Sequence, residues 1–276
     1  MSKITENQTA RKKQSIRSLQ NKKVTGEKIS MITCYDSTFA KLINQTDIDM
    51  VLVGDSLGNV MMGYDNTLKV TVEDMARYGA SVARSLESAF LVIDMPFMSY
   101  NISLEETLRN AAALIRDAGG QAVKMEGGKA ICDKVAACVD AGIPVMGHLG
   151  LTPQSIHTIG GYRVQGRDEE DANRMIEDAK ALEKAGAFSI VLEMVPSALA
   201  QRITKEVSVP VIGIGAGAGC DGQVLVLQDL LGMDGGFRPK FLKTYANLSE
   251  VIVGALTEYN NEVKNVEFPA EEHSFN

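Results

Sequence analysis

MVLVGDSLG, residues 50–58, runs four apolar residues straight into a glycine, a carboxylate and a hydroxyl. A short run that is apolar throughout, with no polar residue alternating, suits a strand covered on both faces, as in a parallel sheet. The pattern returns in FLVIDMPF (90–97), which closes on Asp94, in AVKMEGG (122–128), on Glu126, and in SIVLEMV (189–195), on Glu193. Further apolar runs at 31–35, 144–148, 211–215 and 223–228 make eight candidate strands. Most are followed by helical periodicity. SLEETLRNAAALIRDAG (103–119) can open on a capping box of Ser103 and Glu106. DEEDANRMIEDAKALEKAGA (168–187) is acidic at its start and closes on Lys184 and Gly186, as the helix dipole and left-handed caps favour.

Strands alternating with amphipathic helices predict a parallel sheet covered by helices. Eight such units in about 250 residues is the size of a (β/α)8 TIM barrel. The expectation is one parallel eight-stranded barrel domain over residues 1–276 with a short N-terminal helix, a doubly wound open sheet being the alternative. GIGAGAGCDG (213–222) looks like a dinucleotide loop, but no helical run of useful length follows it.

Composition removes other classes of function. The formal net charge is −7 and tryptophan is absent, which disfavours a nucleic-acid binder. No run of 18 apolar residues is present to span a membrane. Cys34, Cys132, Cys138 and Cys220 form no CxxC pair, so they read as reduced thiols of a cytoplasmic protein rather than as a disulfide framework or a zinc site. TARKKQSIRSLQNKK (9–23) is basic but has no apolar core or small-residue cleavage site, which predicts a surface helix rather than a secretory signal. The polar tail from Asn265 is expected to pack loosely or against a neighbouring subunit.

At the C-terminal ends of barrel strands, residues from different strands converge. Asp55, Asp94 and Glu126 would come from three neighbouring strands, and carboxylates that close repel one another unless a cation sits among them. Donors that are all oxygen favour Mg²⁺ over zinc. Alone, Asp55 reads as a helix cap and Asp94 as a turn residue, whereas Glu126 is a poor turn former. Lys124 lies two residues before Glu126 and so shares its face, where a lysine needs an anion, either an acid or a substrate oxygen. His148 ends the fifth strand. Glu193 ends the sixth with no ligand partner in view, which suits a general base. His157 and His273 carry no functional expectation.

Read together, ITCYDSTFAKL (32–42), VLVGDSLGNVMMGYDNTLKVT (51–71), DMPFMSY (94–100), VKMEGG (123–128), GHLGLTPQS (147–155), GGYRVQGR (160–167), LEMVP (192–196), VIGIGAGAGCDGQVLV (211–226) and EEHSF (271–275) resemble the ketopantoate hydroxymethyltransferase family. The resemblance implies a (β/α)8 barrel that transfers a hydroxymethyl group from 5,10-methylenetetrahydrofolate to 3-methyl-2-oxobutanoate through a Mg²⁺-stabilised enolate. The products are 2-dehydropantoate and tetrahydrofolate, in pantothenate biosynthesis. It also implies metal ligands at Asp55, Asp94 and Glu126, and keto-acid contacts at Asp55, Ser56, Asp94 and Lys124. Glu193 falls on the catalytic carboxylate, assisted by His148 and Lys124. One Mg²⁺ per subunit and a homo-oligomer, often a decamer, are implied as well. Two departures stand out: GYDNT (63–67) has Tyr64 where the family commonly has histidine, and Gln228-Asp229 replaces His-Asp. Rival expectations are another Mg²⁺-enolate enzyme, of the isocitrate lyase and phosphoenolpyruvate mutase kind, and a non-catalytic barrel that binds a metal or anion.

Overall fold

The computed structural model describes residues 12–233 and 239–275. Eight parallel strands close into a barrel in chain order: β1 (Ile29–Thr33), β2 (Met50–Val53), β3 (Phe90–Asp94), β4 (Ala122–Glu126), β5 (Val145–Gly150), β6 (Ser189–Glu193), β7 (Val211–Ile214) and β8 (Gly222–Leu225). β8 returns to pair with β1, so the open-sheet alternative is excluded. The helices are α1 (Ile16–Thr25), α2 (Ser37–Ile43), α3 (Leu57–Val60), α4 (Val72–Ala83), α5 (Leu104–Arg116), α6 (Cys132–Asp140), α7 (Ile156–Ile159), α8 (Glu169–Lys184), α9 (Ser197–Glu206), α10 (Leu227–Leu230) and α11 (Leu248–Lys264). Ser103 caps α5 by accepting from the Glu106 N–H at 3.1 Å. Asp168 does the same for α8 through Asp171.

Three strands depart from the sequence expectation by two residues or more, β5 among them, which starts one residue later and runs on to Gly150. β1 starts two residues earlier and stops at Thr33, because Asp36 turns the chain into α2 by accepting from the Phe39 N–H. β8 stops at Leu225, and Leu227 already belongs to α10. A four-residue apolar run does not distinguish the end of a strand from the start of a helix.

The barrel interior is filled by alternate residues of the strands, among them Met50, Leu52, Phe90, Val92, Ala122, Met146, Val191 and Ile212. Leu19 of α1 joins this cluster and is 1 % exposed. Lys22 pairs with Asp49 at 3.1 Å and Lys23 with Asp221 at 2.7 Å, both acids lying immediately ahead of a strand. α1 therefore closes the N-terminal end of the barrel through Leu19, while its other residues stay exposed or half-buried, as expected of a surface helix. The part of the basic stretch before Lys12 falls outside the described residues.

Between β7 and β8 the barrel has a short crossover where the other connections carry a helix. Here the glycine-rich stretch finds its use. Gly217 has φ +81°, and a Cβ on it would lie 2.5 Å from the Ser197 Cβ. A Cβ on Gly219 would lie 2.8 Å from the Gln201 Cβ. The crossover backbone thus presses directly on α9, and glycine is what allows the approach.

The chain divides into two compact units after Leu225. The second, Val226–Asn276, holds α10 and α11, and in it the Phe268 ring meets Tyr259 edge-on and His273 at a tilt. None of the residues of α11 is buried.

Candidate active site at the barrel mouth

The sequence places functional side chains on the inward positions of consecutive strand ends. Asp94 ends β3, Lys124 and Glu126 end β4, His148 lies on β5 and Glu193 ends β6. The register sets Asp94 beside Lys124, Glu126 beside His148 and Gly150 beside Glu193. Asp55 and Ser56 follow β2, with Ser56 just ahead of α3. Gly150 has φ +91°, and a Cβ there would lie 2.2 Å from the Glu193 carbonyl oxygen. That position brings the ends of β5 and β6 close enough for the Leu151 N–H to bond the same oxygen at 2.8 Å.

Asp55, Asp94, Lys124, Glu126 and His148 are all buried. Lys124 Nζ lies 2.9 Å from Asp94 Oδ1 and 3.2 Å from His148 Nδ1. His148 Nδ1 lies 3.3 Å from Glu126 Oε1, and its Nε2 lies 3.3 Å from Glu193 Oε2. Glu193 is the more open acid, its side chain 18 % exposed. Ser56 Oγ shares a hydrogen bond of 2.8 Å with the Tyr35 hydroxyl. The structure thus gathers every site residue expected from sequence at one mouth. Of the two departures, Tyr64 lies in the β2–α4 connection with Lys69 Nζ 5.4 Å from its ring centroid, and Gln228 lies in α10.

Two residues here escaped sequence reasoning. Gln154 follows β5 in TPQS and is buried. Its Nε2 donates to Asp55 Oδ2 at 2.8 Å and to the Met95 carbonyl at 3.0 Å, and its backbone N–H donates to Glu126 Oε2 at 3.0 Å. Tyr100 donates to Gln154 Oε1 at 2.8 Å and accepts from the Glu126 N–H at 3.1 Å. Both stand inside segments already singled out, GHLGLTPQS and DMPFMSY, but neither has a spacing that marks it.

Burial, followed by Asp94 and Glu126, pushes the Asp55 carboxyl up to about 8. Asp94 is raised by burial in spite of the Lys124 ammonium. Burial would also raise Glu126, but the adjoining His148 outweighs it and holds Glu126 below the usual range. Burial and then Lys124 push the His148 imidazole down, yet Glu126 and Glu193 lift it to about 9. Lys124 loses by burial and gains more from Asp94, Glu126 and Asp55, so it stays firmly charged.

The acids do not close into a three-ligand cluster in this conformation, nor do any three His, Cys, Asp or Glu side chains among the described residues. The donor chemistry nonetheless suits a hard divalent cation. Three carboxylates face one permanent cation, and buried Asp94 Oδ1 and Glu126 Oε1 make no hydrogen bond of good geometry, only ion-pair contacts.

A closed parallel (β/α)8 barrel with acids, a lysine and a histidine converging on its C-terminal strand ends is built as a barrel enzyme. Fold alone goes no further. The phosphonopyruvate hydrolase structure in complex with oxalate and Mg²⁺ superposes with a TM-score of 0.61 at 12 % identity, covering 94 % of this chain and 93 % of that one. 2,3-Dimethylmalate lyase, a member of the phosphoenolpyruvate mutase/isocitrate lyase superfamily, does so with a TM-score of 0.58 at 16 % identity, covering 94 % and 91 %. The sequence is more specific: the chain belongs to the ketopantoate hydroxymethyltransferase family, whose model matches residues 13–271. The 3-methyl-2-oxobutanoate hydroxymethyltransferase of Syntrophomonas wolfei is 56 % identical over 257 residues, 93 % of each chain.

Proposed function

We propose that this barrel transfers the one-carbon unit of 5,10-methylenetetrahydrofolate to 3-methyl-2-oxobutanoate, consuming one water and giving 2-dehydropantoate and tetrahydrofolate. Family membership and the 56 % identical relative support the substrates. The observation that carries the chemistry is the pairing of Glu193 with His148 at 3.3 Å beside the buried acids.

Asp55, Asp94 and Glu126 would hold a divalent cation such as Mg²⁺, which when bound draws electron density from the keto and carboxylate oxygens of the substrate and so acidifies its C3 proton. Glu193, the more open acid, takes that proton. With its folded-state pKa near 9, His148 is an imidazolium at neutral pH, and its Nε2, 3.3 Å from Glu193 Oε2, orients that carboxylate toward the substrate. The Lys124 ammonium donates toward the keto oxygen as negative charge builds there, and burial strengthens that interaction. The nucleophilic C3 then bonds to the one-carbon unit; both carbon–nitrogen bonds that held this carbon to folate break, water places its hydroxyl on it, and the C3 proton and the remaining water proton end on the two folate nitrogens. Ser56, beside Asp55, holds the substrate carboxylate. The free thiols and the chemistry favour a cytoplasmic setting.

The chain also assembles with copies of itself in this reading. Ile252, Leu256, Tyr259 and Val263 recur at helical spacing along α11 and are all exposed, a stripe that another copy can cover. Folate-independent cleavage of a small acid is a second reading that rests on fold alone.

Mixing the purified protein with keto acid, methylenetetrahydrofolate and Mg²⁺ tests the assignment. Production of 2-dehydropantoate in step with tetrahydrofolate supports it, and conversion of the keto acid at the same rate without folate contradicts it.

A further inference from the structure

Asp55, Asp94 and Glu126 are each tethered at one oxygen by an amide. Asp94 Oδ2 accepts from the Asp55 N–H at 3.0 Å, Asp55 Oδ2 from Gln154 Nε2 at 2.8 Å, and Glu126 Oε2 from the Gln154 N–H at 3.0 Å. One residue supplies two of these tethers, from its side chain and its backbone. Its orientation is fixed. Nε2 faces the Met95 carbonyl as well as Asp55, while Oε1 faces the Tyr100 hydroxyl. Turning the amide over would set its oxygen against the Met95 carbonyl, which cannot donate.

We propose that Gln154, held by Tyr100, is a positioning residue that commits one oxygen of Asp55 and one of Glu126, so that each offers only a single oxygen to a divalent cation. The inference rests on the cation site of the proposed function. Its consequence is ion selectivity. Mg²⁺ takes six ligands in fixed octahedral positions and uses few carboxylates, whereas Ca²⁺ accepts both oxygens of one carboxylate and a looser shell. Tethered acids therefore favour the smaller ion, and freeing Asp55 relaxes that preference.

The test uses the full chain without substrate. Mn²⁺ binding is read by electron paramagnetic resonance, with Mg²⁺ and Ca²⁺ as competitors, in the wild type, Gln154→Leu and Tyr100→Phe. Gln154→Leu leaves the backbone tether to Glu126 in place and removes only the one to Asp55. Its Mn²⁺ affinity should fall by about 10- to 100-fold, the usual range for loss of a group that orients a metal ligand. Competition by Ca²⁺ should weaken less than competition by Mg²⁺. Tyr100→Phe should shift the same ratio in the same direction by a smaller factor.

Wild-type Mn²⁺ affinity in folded Gln154→Leu overturns the proposal. So does an equal loss for Mg²⁺ and Ca²⁺, which would mark a merely structural role. If Gln154→Leu does not fold, an unchanged ratio in Tyr100→Phe overturns it. A wild type that binds no Mn²⁺ removes the cation site itself, and the proposal with it.

Discussion

Asp55, Asp94 and Glu126 carry three carboxylates into a buried mouth where Lys124 supplies one permanent positive charge. Asp55, raised to about 8, and His148, raised to about 9, both hold protons more tightly in the folded than in the unfolded chain. Their stabilising effect is complete below their unfolded pKa values, near 4 and 6.5, and is lost as pH rises through 8 and 9. The metal-free protein should therefore lose stability between pH 6 and 9 in urea unfolding, by up to the order of 3 kcal/mol for each group. His148→Gln should flatten that dependence. Added Mg²⁺ should raise the melting temperature more at pH 9 than at pH 6, since binding must displace the proton on Asp55; an equal rise at both would contradict the raised Asp55. The acids were legible in the sequence because they recur at the ends of consecutive apolar runs, where each one alone would pass for a cap or a turn residue. Gln154 and Tyr100 were not, because their importance lies in partners that the fold brings from 99 and 26 residues away.

At the level of elements, α1 and the β7–β8 crossover show where a sequence pattern misleads. α1 looks like a basic surface helix, with Arg17, Lys22 and Lys23 among its ten residues, yet its Leu19 enters the barrel core and Ile16 packs against it. Leu19→Ala should destabilise the protein by about 2–5 kcal/mol, as a buried Leu-to-Ala change does, while leaving the turnover of the folded fraction unchanged. Chemical denaturation beside a specific-activity assay separates the two. GIGAGAGCDG looks like a phosphate loop because glycine allows close backbone approach to any surface, and here the surface is α9. Gly217→Ala combines a strained φ with a clash against Ser197 and should cost about 1–3 kcal/mol. An unshifted melting temperature would show that the crossover does not press on α9. The misplaced ends of β1 and β8 share one physical cause: local hydrophobicity continues after the hydrogen-bonded ladder stops.

For the whole molecule, eight apolar runs alternating with helices left few architectures open, and closure required only that β8 find β1. Assembly is a separate matter. Ile252→Glu with Leu256→Glu places charge in the exposed stripe of α11 and should shift the mass measured by light scattering toward the monomer. An unchanged mass would move any association to another surface. In the proposed function the acids, Lys124, His148 and Glu193 form a site that removes the C3 proton of a keto acid. The direct measurement is proton NMR of 3-methyl-2-oxobutanoate in D₂O with the purified protein, with Mg²⁺ or with EDTA, and no folate. Loss of the C3 signal that requires both protein and Mg²⁺, and that disappears in a Glu193→Gln variant still able to bind keto acid, is the predicted result. Retention of the signal by wild-type protein with Mg²⁺ and bound keto acid would contradict it and leave a barrel that binds without enolising.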